Sequence, residues 1–175
     1  HHRQATGGMS VTLDEFGLTS LVLLTQDPLI HNSLTKRARE IGPRAAELQR
    51  SLAADKLRMV EQVHARLASR FPVPQAAEWI ATAKKSLQSC DGSLAIKDAA
   101  GAYAHANRAM RPLRVLERVD WEAAVGRLRW PVASPAAVSF RTLPWHVAMM
   151  DFIANATSSI FAQGWTPELQ KMVGG

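Results

Sequence analysis

Between residues 27 and 70 the chain keeps one rhythm. Leu34, Ala38, Ile41, Ala45, Leu48, Leu52, Met59, Val63 and Leu67 recur at three- and four-residue steps or their sum, with polar and charged residues between them. That spacing places them along one side of an α-helix. Asp27-Pro28 supplies the start: a capping acceptor, then a proline where its missing N–H costs nothing. Phe71-Pro72-Val73-Pro74 supplies the stop. A helix from Pro28 to just before Phe71 is roughly 60 Å long at ~1.5 Å per residue. Gly42-Pro43 lies inside it and predicts a kink or a break, because proline removes one hydrogen bond and crowds the preceding turn.

Two further helices follow. Pro74 opens one that carries Ala76, Ile80, Ala83, Leu87 and Cys90, and Asp91-Gly92-Ser93 is the expected end, with Gly92 as its left-handed cap. The next is expected from about Lys97-Asp98 to Arg127. Its stripe is Ala99, Ala102, Tyr103, Ala106, Ala109, Met110, Leu113 and Leu116, and Pro112 is a second kink candidate. Residues 76–110 resemble one helical hairpin of a tetratricopeptide repeat, but a single unit builds no solenoid, and an ordinary antiparallel hairpin in a bundle fits as well. Residues 130–144 contain three prolines and read as an extended loop, and residues 145–154 as a short last helix.

Ahead of the long helix, residues 11–25 are dense in Val, Thr and Leu without helical periodicity and read as strand-like. Residues 1–8, a His pair running to Gly-Gly before Met9, read as an added tail outside the fold. The expected organisation is therefore a tail over 1–8, a strand-like arm or the end of an upstream β domain over 9–26, a helical bundle over 27–154, and a loosely ordered segment over 155–175. The fold class is all-α: a kinked long helix plus a helical hairpin forming a small bundle, with the N-terminal arm and a proline-rich wrapped loop.

At 175 residues and 47% hydrophobic, the chain can bury a core, and it is too apolar for a disordered chain. No apolar run approaches the ~20 residues of a membrane span. A single cysteine, Cys90, excludes an internal disulfide framework and any Cys-x-x-Cys site. The net charge of +6 favours polyanionic partners without choosing among them.

Chemistry is harder to find. Glu61-x-x-His64 has the spacing of a di-iron ligand pair, but no second copy accompanies it, so no metal or cofactor is expected and both residues read as a solvated helix face. His146, beside Trp145 and near Asp151, could frame a small pocket or simply dock a terminal helix; His105 and His31 carry less signal. No Gly-x-Ser-x-Gly elbow or phosphate-cradling glycine loop occurs, and no carboxylate pair converges, so no catalytic residue is expected. What remains is basic. Arg108, Arg111, Arg114 and Arg118 share one side of the third helix, and Lys36, Arg37, Arg39, Arg44 and Arg50 crowd the long one. They suit phosphates or carboxylates. Glu40, Glu47, Glu117 and Asp120 are interleaved at pairing distance, however, as on an ordinary solvated helix, and stacking aromatics are not.

The order of phrases is more specific than any motif. LVLLTQDP, the long Ala/Leu/Arg helix, LAIKDAAGAYAHANRAMRPLRVLERVDWEAAV and PVASPAAVSFRTLPWH together resemble, over residues 18–153, a helical module of large multi-domain planctomycete proteins. There the module lies between glycosidase-like and β-sandwich regions. The resemblance implies a non-catalytic spacer or interaction module of a larger extracellular or envelope-associated, carbohydrate-active protein, with neighbouring domains of the same polypeptide as partners. It implies no site residues. It also suggests that Trp121, Trp130, Phe140 and Trp145 anchor the proline-rich loop on the bundle. The alternative is a binder of nucleic acid or acidic glycan through Arg108, Arg111, Arg114 and Arg118.

Overall fold

The computed structural model describes residues 2–5, 8–12, 22–126 and 139–162, with side chains for residue 12, residues 22–126 and residues 139–152. Its body is α-helical: α1 (Pro28–Leu67), α2 (Ala76–Ala95), α3 (Ala99–Val125) and α4 (Leu143–Ala162), the last entered through a 3-10 turn at Phe140–Thr142. Two short strands precede them, β1 (His2–Ala5) and β2 (Gly8–Val11), paired antiparallel with His2 opposite Val11 and Ala5 opposite Gly8. The tail expected to lie outside the fold thus supplies β1 and the first residue of β2. Of the strand-like segment, residues 13–21 lie outside the described residues, and residues 22–27 have no regular structure.

The start of α1 follows from its cap. Asp27 Oδ1 accepts the Leu29 N–H at 2.8 Å, and Pro28 is the first helical residue. The helix is 40 residues long and continuous across Gly42-Pro43, so the break that this dipeptide allows does not occur. Pro43 has no N–H to offer the Arg39 carbonyl, and one rung of the ladder is missing there.

At the α2–α3 junction the sequence misleads. Gly92 lies inside α2, which continues to Ala95, and the left-handed residue is Lys97, with φ 60°. The Lys97 N–H donates to the Leu94 carbonyl at 3.0 Å and the Asp98 N–H to the Ser93 carbonyl at 2.9 Å, which is the Schellman pattern. Asp98 then caps α3, its Oδ1 accepting the Gly101 N–H at 2.9 Å. Gly101 gives this carboxylate room: a Cβ there would fall 2.1 Å from Asp98 Oδ2, and the carboxylate would have to shift. One residue separates the end of one helix motif from the cap of the next, which folds α2 back on α3.

Two clusters make the core. The first is built on small groups: Ala46 and Ala53 of α1, Leu87 and Cys90 of α2, and Ala102, Ala106 and Ala109 of α3. The second, further along α1, uses larger ones, including Val60, Val63, Leu67, Phe71, Leu113 and Leu116, and is closed by Phe140, Leu143 and Val147. The apolar stripe of α1 therefore divides. Val63 and Leu67 are buried as their period predicts, whereas Leu34, Ile41, Leu48 and Leu52 are 46–58% exposed. In that half α1 presents alanines to the hairpin, one step around the helix from the leucines.

The anchoring expectation divides too. Phe140 is buried and Trp121 is half-buried against the second cluster. Trp145 is 74% exposed, and α4 buries Leu143 and Val147 in the core instead. Trp130 and most of the proline-rich loop lie outside the described residues. α4 begins at Leu143 and reaches Ala162, longer than the helix expected over 145–154.

Lys97 holds a conformation that disfavours a side-chain-bearing residue. Lys97→Gly should raise the unfolding free energy by about 1 kcal/mol in urea titrations. A loss of stability would show that the Lys97 side chain contributes more than its backbone conformation costs.

Candidate functional site

Arg108, Arg111, Arg114 and Arg118 do share one exposed face of α3. The carboxylates expected to neutralise them mostly point elsewhere. Glu117 reaches across to α1 and pairs with Lys56, and Asp120 is fully buried. Only Glu122 stays on the arginine side, accepting from Arg118 Nε at 2.7 Å; that hydrogen bond, then the charge of Glu122, raises the Arg118 pKa. No described carboxylate pairs with Arg111 or Arg114.

Arg114 and Arg118 border a shallow depression of about 440 Å³ between α3 and the 3-10 turn, with Trp121, Ser139 and Phe140 on its walls. Two predicted arginines thus meet two predicted aromatic anchors, an association the linear sequence hides because residues 121 and 140 are joined by the loop. Glu117 and Glu122 also reach the rim, where each is already held by a cation. Arg108 and Arg111 lie further toward the start of α3, outside this depression. The basic residues of α1 are arranged differently. Arg50 grips Asp91 of α2 with two hydrogen bonds, at 2.9 and 3.2 Å, and Arg44 pairs with Glu47. A second depression, beside His31, Lys36 and Arg39, is lined by α1 alone and encloses nothing.

The most buried polar contact is one the sequence conceals. His64, expected on a solvated face, is only 15% exposed in its side chain, and its Nδ1 lies 3.1 Å from both oxygens of Asp120. Asp120 falls on the same α3 stripe as Leu113, Leu116 and Ala124, all fully buried. Burial pushes its carboxyl pKa up from 3.8, against the hydrogen bond and charge of His64, and the net direction is up. The pair ties the last turn of α1 to α3. An Asp–His pair is also the orienting half of a general base, but neither depression includes His64 or Asp120.

The other candidates are engaged elsewhere. Glu61 pairs with Lys84 of α2 at 2.7 Å, and among the described residues no three His, Cys, Asp or Glu side chains come together to hold a metal. Asp151 pairs with Arg70 rather than framing a pocket with His146, and the Arg70 guanidinium stands 5.5 Å from the centre of the Phe71 ring. Cys90 is fully buried, and burial raises its thiol pKa. No described helix is long and apolar enough to cross a membrane. Comparisons with protein-family models, with curated proteins and with solved structures return no match.

Since burial sets Asp120's folded pKa above its unfolded value, its contribution to stability is fully present below pH 3.8 and falls as pH rises through the folded value. Asp120→Asn removes that titration. The wild-type chain should therefore lose stability relative to the variant as pH climbs from 3.8, in urea denaturation across a pH series. The opposite slope would mean that attraction to His64 outweighs burial.

Proposed function

We propose that this chain is a non-catalytic helical spacer and interaction module of a larger extracellular, carbohydrate-active polypeptide, and that its interaction face is the first half of α1. The observation that carries this reading is the exposed apolar line along Leu34, Ile41, Leu48 and Leu52, beside exposed Leu29 and Ile30. A helix face that gains nothing from the bundle does not need leucine and isoleucine at these steps; a partner-binding face does. The order of phrases across residues 18–153 supports the multi-domain setting, with neighbouring domains as partners.

Leu34→Asp/Ile41→Asp/Leu48→Asp tests whether this face is free of the fold. The unfolding free energy of the triple variant should stay within about 1 kcal/mol of wild type, the scale of helix-propensity changes alone. A loss beyond about 3 kcal/mol would place these side chains in the core and end the interaction-face reading.

A second reading is polyanion binding, favoured by Arg111 and Arg114 standing without a described carboxylate and by Trp121 at the rim of the Arg114 depression. It requires heparin or single-stranded DNA to bind with a steep salt dependence. Arg111→Ala/Arg114→Ala should then lower the slope of log affinity against log salt by about 2. Binding with an unchanged slope, or none at low salt, excludes this face.

A further inference from the structure

We infer that the exposed face of α1 is occupied by a second copy of the same helix, running antiparallel, so that the chain forms a two-fold dimer through residues 30–52. This inference rests on α1 as the interaction face and names what covers it.

The exposed positions follow a heptad. Leu34, Ile41 and Leu48 are seven residues apart, and so are Ala38, Ala45 and Leu52, so two rows alternate at steps of four and three. All six are exposed or half-buried. Further along α1 the same side of the helix carries Met59 and Val63, and there the core contains Phe140, Leu143 and Val147 from the 3-10 turn and α4. The rows are thus covered at one end of α1, and at the other nothing among the described residues lies over them. The α3-facing side is about a quarter-turn away, where Gly42 faces Ala99 and Ala46 and Ala53 are buried. A helix laid on the rows would not displace α3.

The sizes along the rows choose the occupant. A two-fold axis near Pro43, with the helices antiparallel, sets Leu34 against the second copy's Leu52, Ala38 against its Leu48, and Ile41 against its Ala45. Each small side chain then faces a large one, and every layer is matched again by symmetry. A parallel pairing in register would set alanine on alanine twice and isoleucine on isoleucine, alternately opening and crowding the seam. The antiparallel arrangement also sends the two α2–α3 hairpins to opposite ends. Its electrostatic cost is the meeting of Arg44 with the second copy's Arg44, each accompanied by its own Glu47, within a stretch that carries five Lys and Arg against two Glu on each copy. Of the 23 residues in 30–52, only the two rows and their flanks can face the second copy, fewer than the ~20–30 interface residues a side of a standard complex, so a micromolar dissociation constant is expected.

Sedimentation equilibrium of the whole chain from about 5 to 500 µM should show a monomer–dimer equilibrium, and Ile41→Asp/Leu48→Asp should weaken it at least 100-fold. Cysteine cross-linking reads the geometry independently of that variant. Arg44→Cys should cross-link across the axis, whereas Leu34→Cys, far from its own copy in an antiparallel pair, should not; Cys90 is fully buried. A monomer throughout the range overturns the inference. So does a dimer indifferent to the aspartates, or one that cross-links through Leu34→Cys. If the triple-aspartate chain keeps its stability while the wild type is monomeric, self-association alone fails and the face awaits a different partner.

Discussion

The structure depends on a contact between alanines. Ala46 and Ala53 of α1 lie with Ala102, Ala106 and Ala109 of α3, all fully buried, so α1 and α3 meet with little more than methyl groups between them, and Leu87 and Cys90 of α2 pack beside that contact. Interaxial distance follows side-chain size, and such a contact lets backbones come close. Close packing brings dispersion gain but removes little apolar surface for each residue. The transfer free energy is therefore concentrated at the far end, where Leu67, Phe71, Leu113, Leu116, Phe140 and Leu143 gather.

This asymmetry organises the rest. Where the side chains are large, the three helices do not finish the core themselves, and the 3-10 turn with the start of α4 completes it. Between the two ends stand the polar ties from α1 to the hairpin: Arg50 to Asp91, Gln49 to Asn107 at 2.7 Å, Lys56 to Glu117, and His64 to Asp120. The exposed pairs among them add little free energy each. Their value is in fixing register, since alanine surfaces slide over one another more easily than interdigitated leucines do. Asp120 differs because it is wholly buried, so removing His64 alone would strand a carboxylate away from water.

Helix identity was legible where a single residue does a single job. Asp27-Pro28 marks the start of α1 and Asp98 that of α3, because a short carboxylate beside free N–H groups has few other uses. Gly92 misled because glycine is tolerated inside a helix as well as after one, while the residue that takes the left-handed conformation is a lysine, forced there by the adjoining cap at Asp98. The core face of α1 was misread for a physical reason as well. Large apolar residues dominate any stripe drawn from hydrophobicity, but here the fold buries alanine and leaves leucine outside. Asp120 was legible only as a break in a pattern, a carboxylate four residues beyond Leu116 and four before Ala124. The arginine face was visible as a row. The turning of Glu117 and Asp120 toward α1 was not, because it depends on which side the neighbouring helix occupies.

Pro43 sits three residues before Ala46, the first buried residue of α1. The missing rung in the helical ladder thus coincides with the border between the part of α1 that the bundle grips and the part that it does not. A helix short of one hydrogen bond bends most readily at that point. The fifteen residues before Pro43 extend some 20 Å past that border, at ~1.5 Å per residue. On one side of the missing rung the alanine contact fixes the direction of the helix, and on the other that direction rests on the remaining backbone hydrogen bonds.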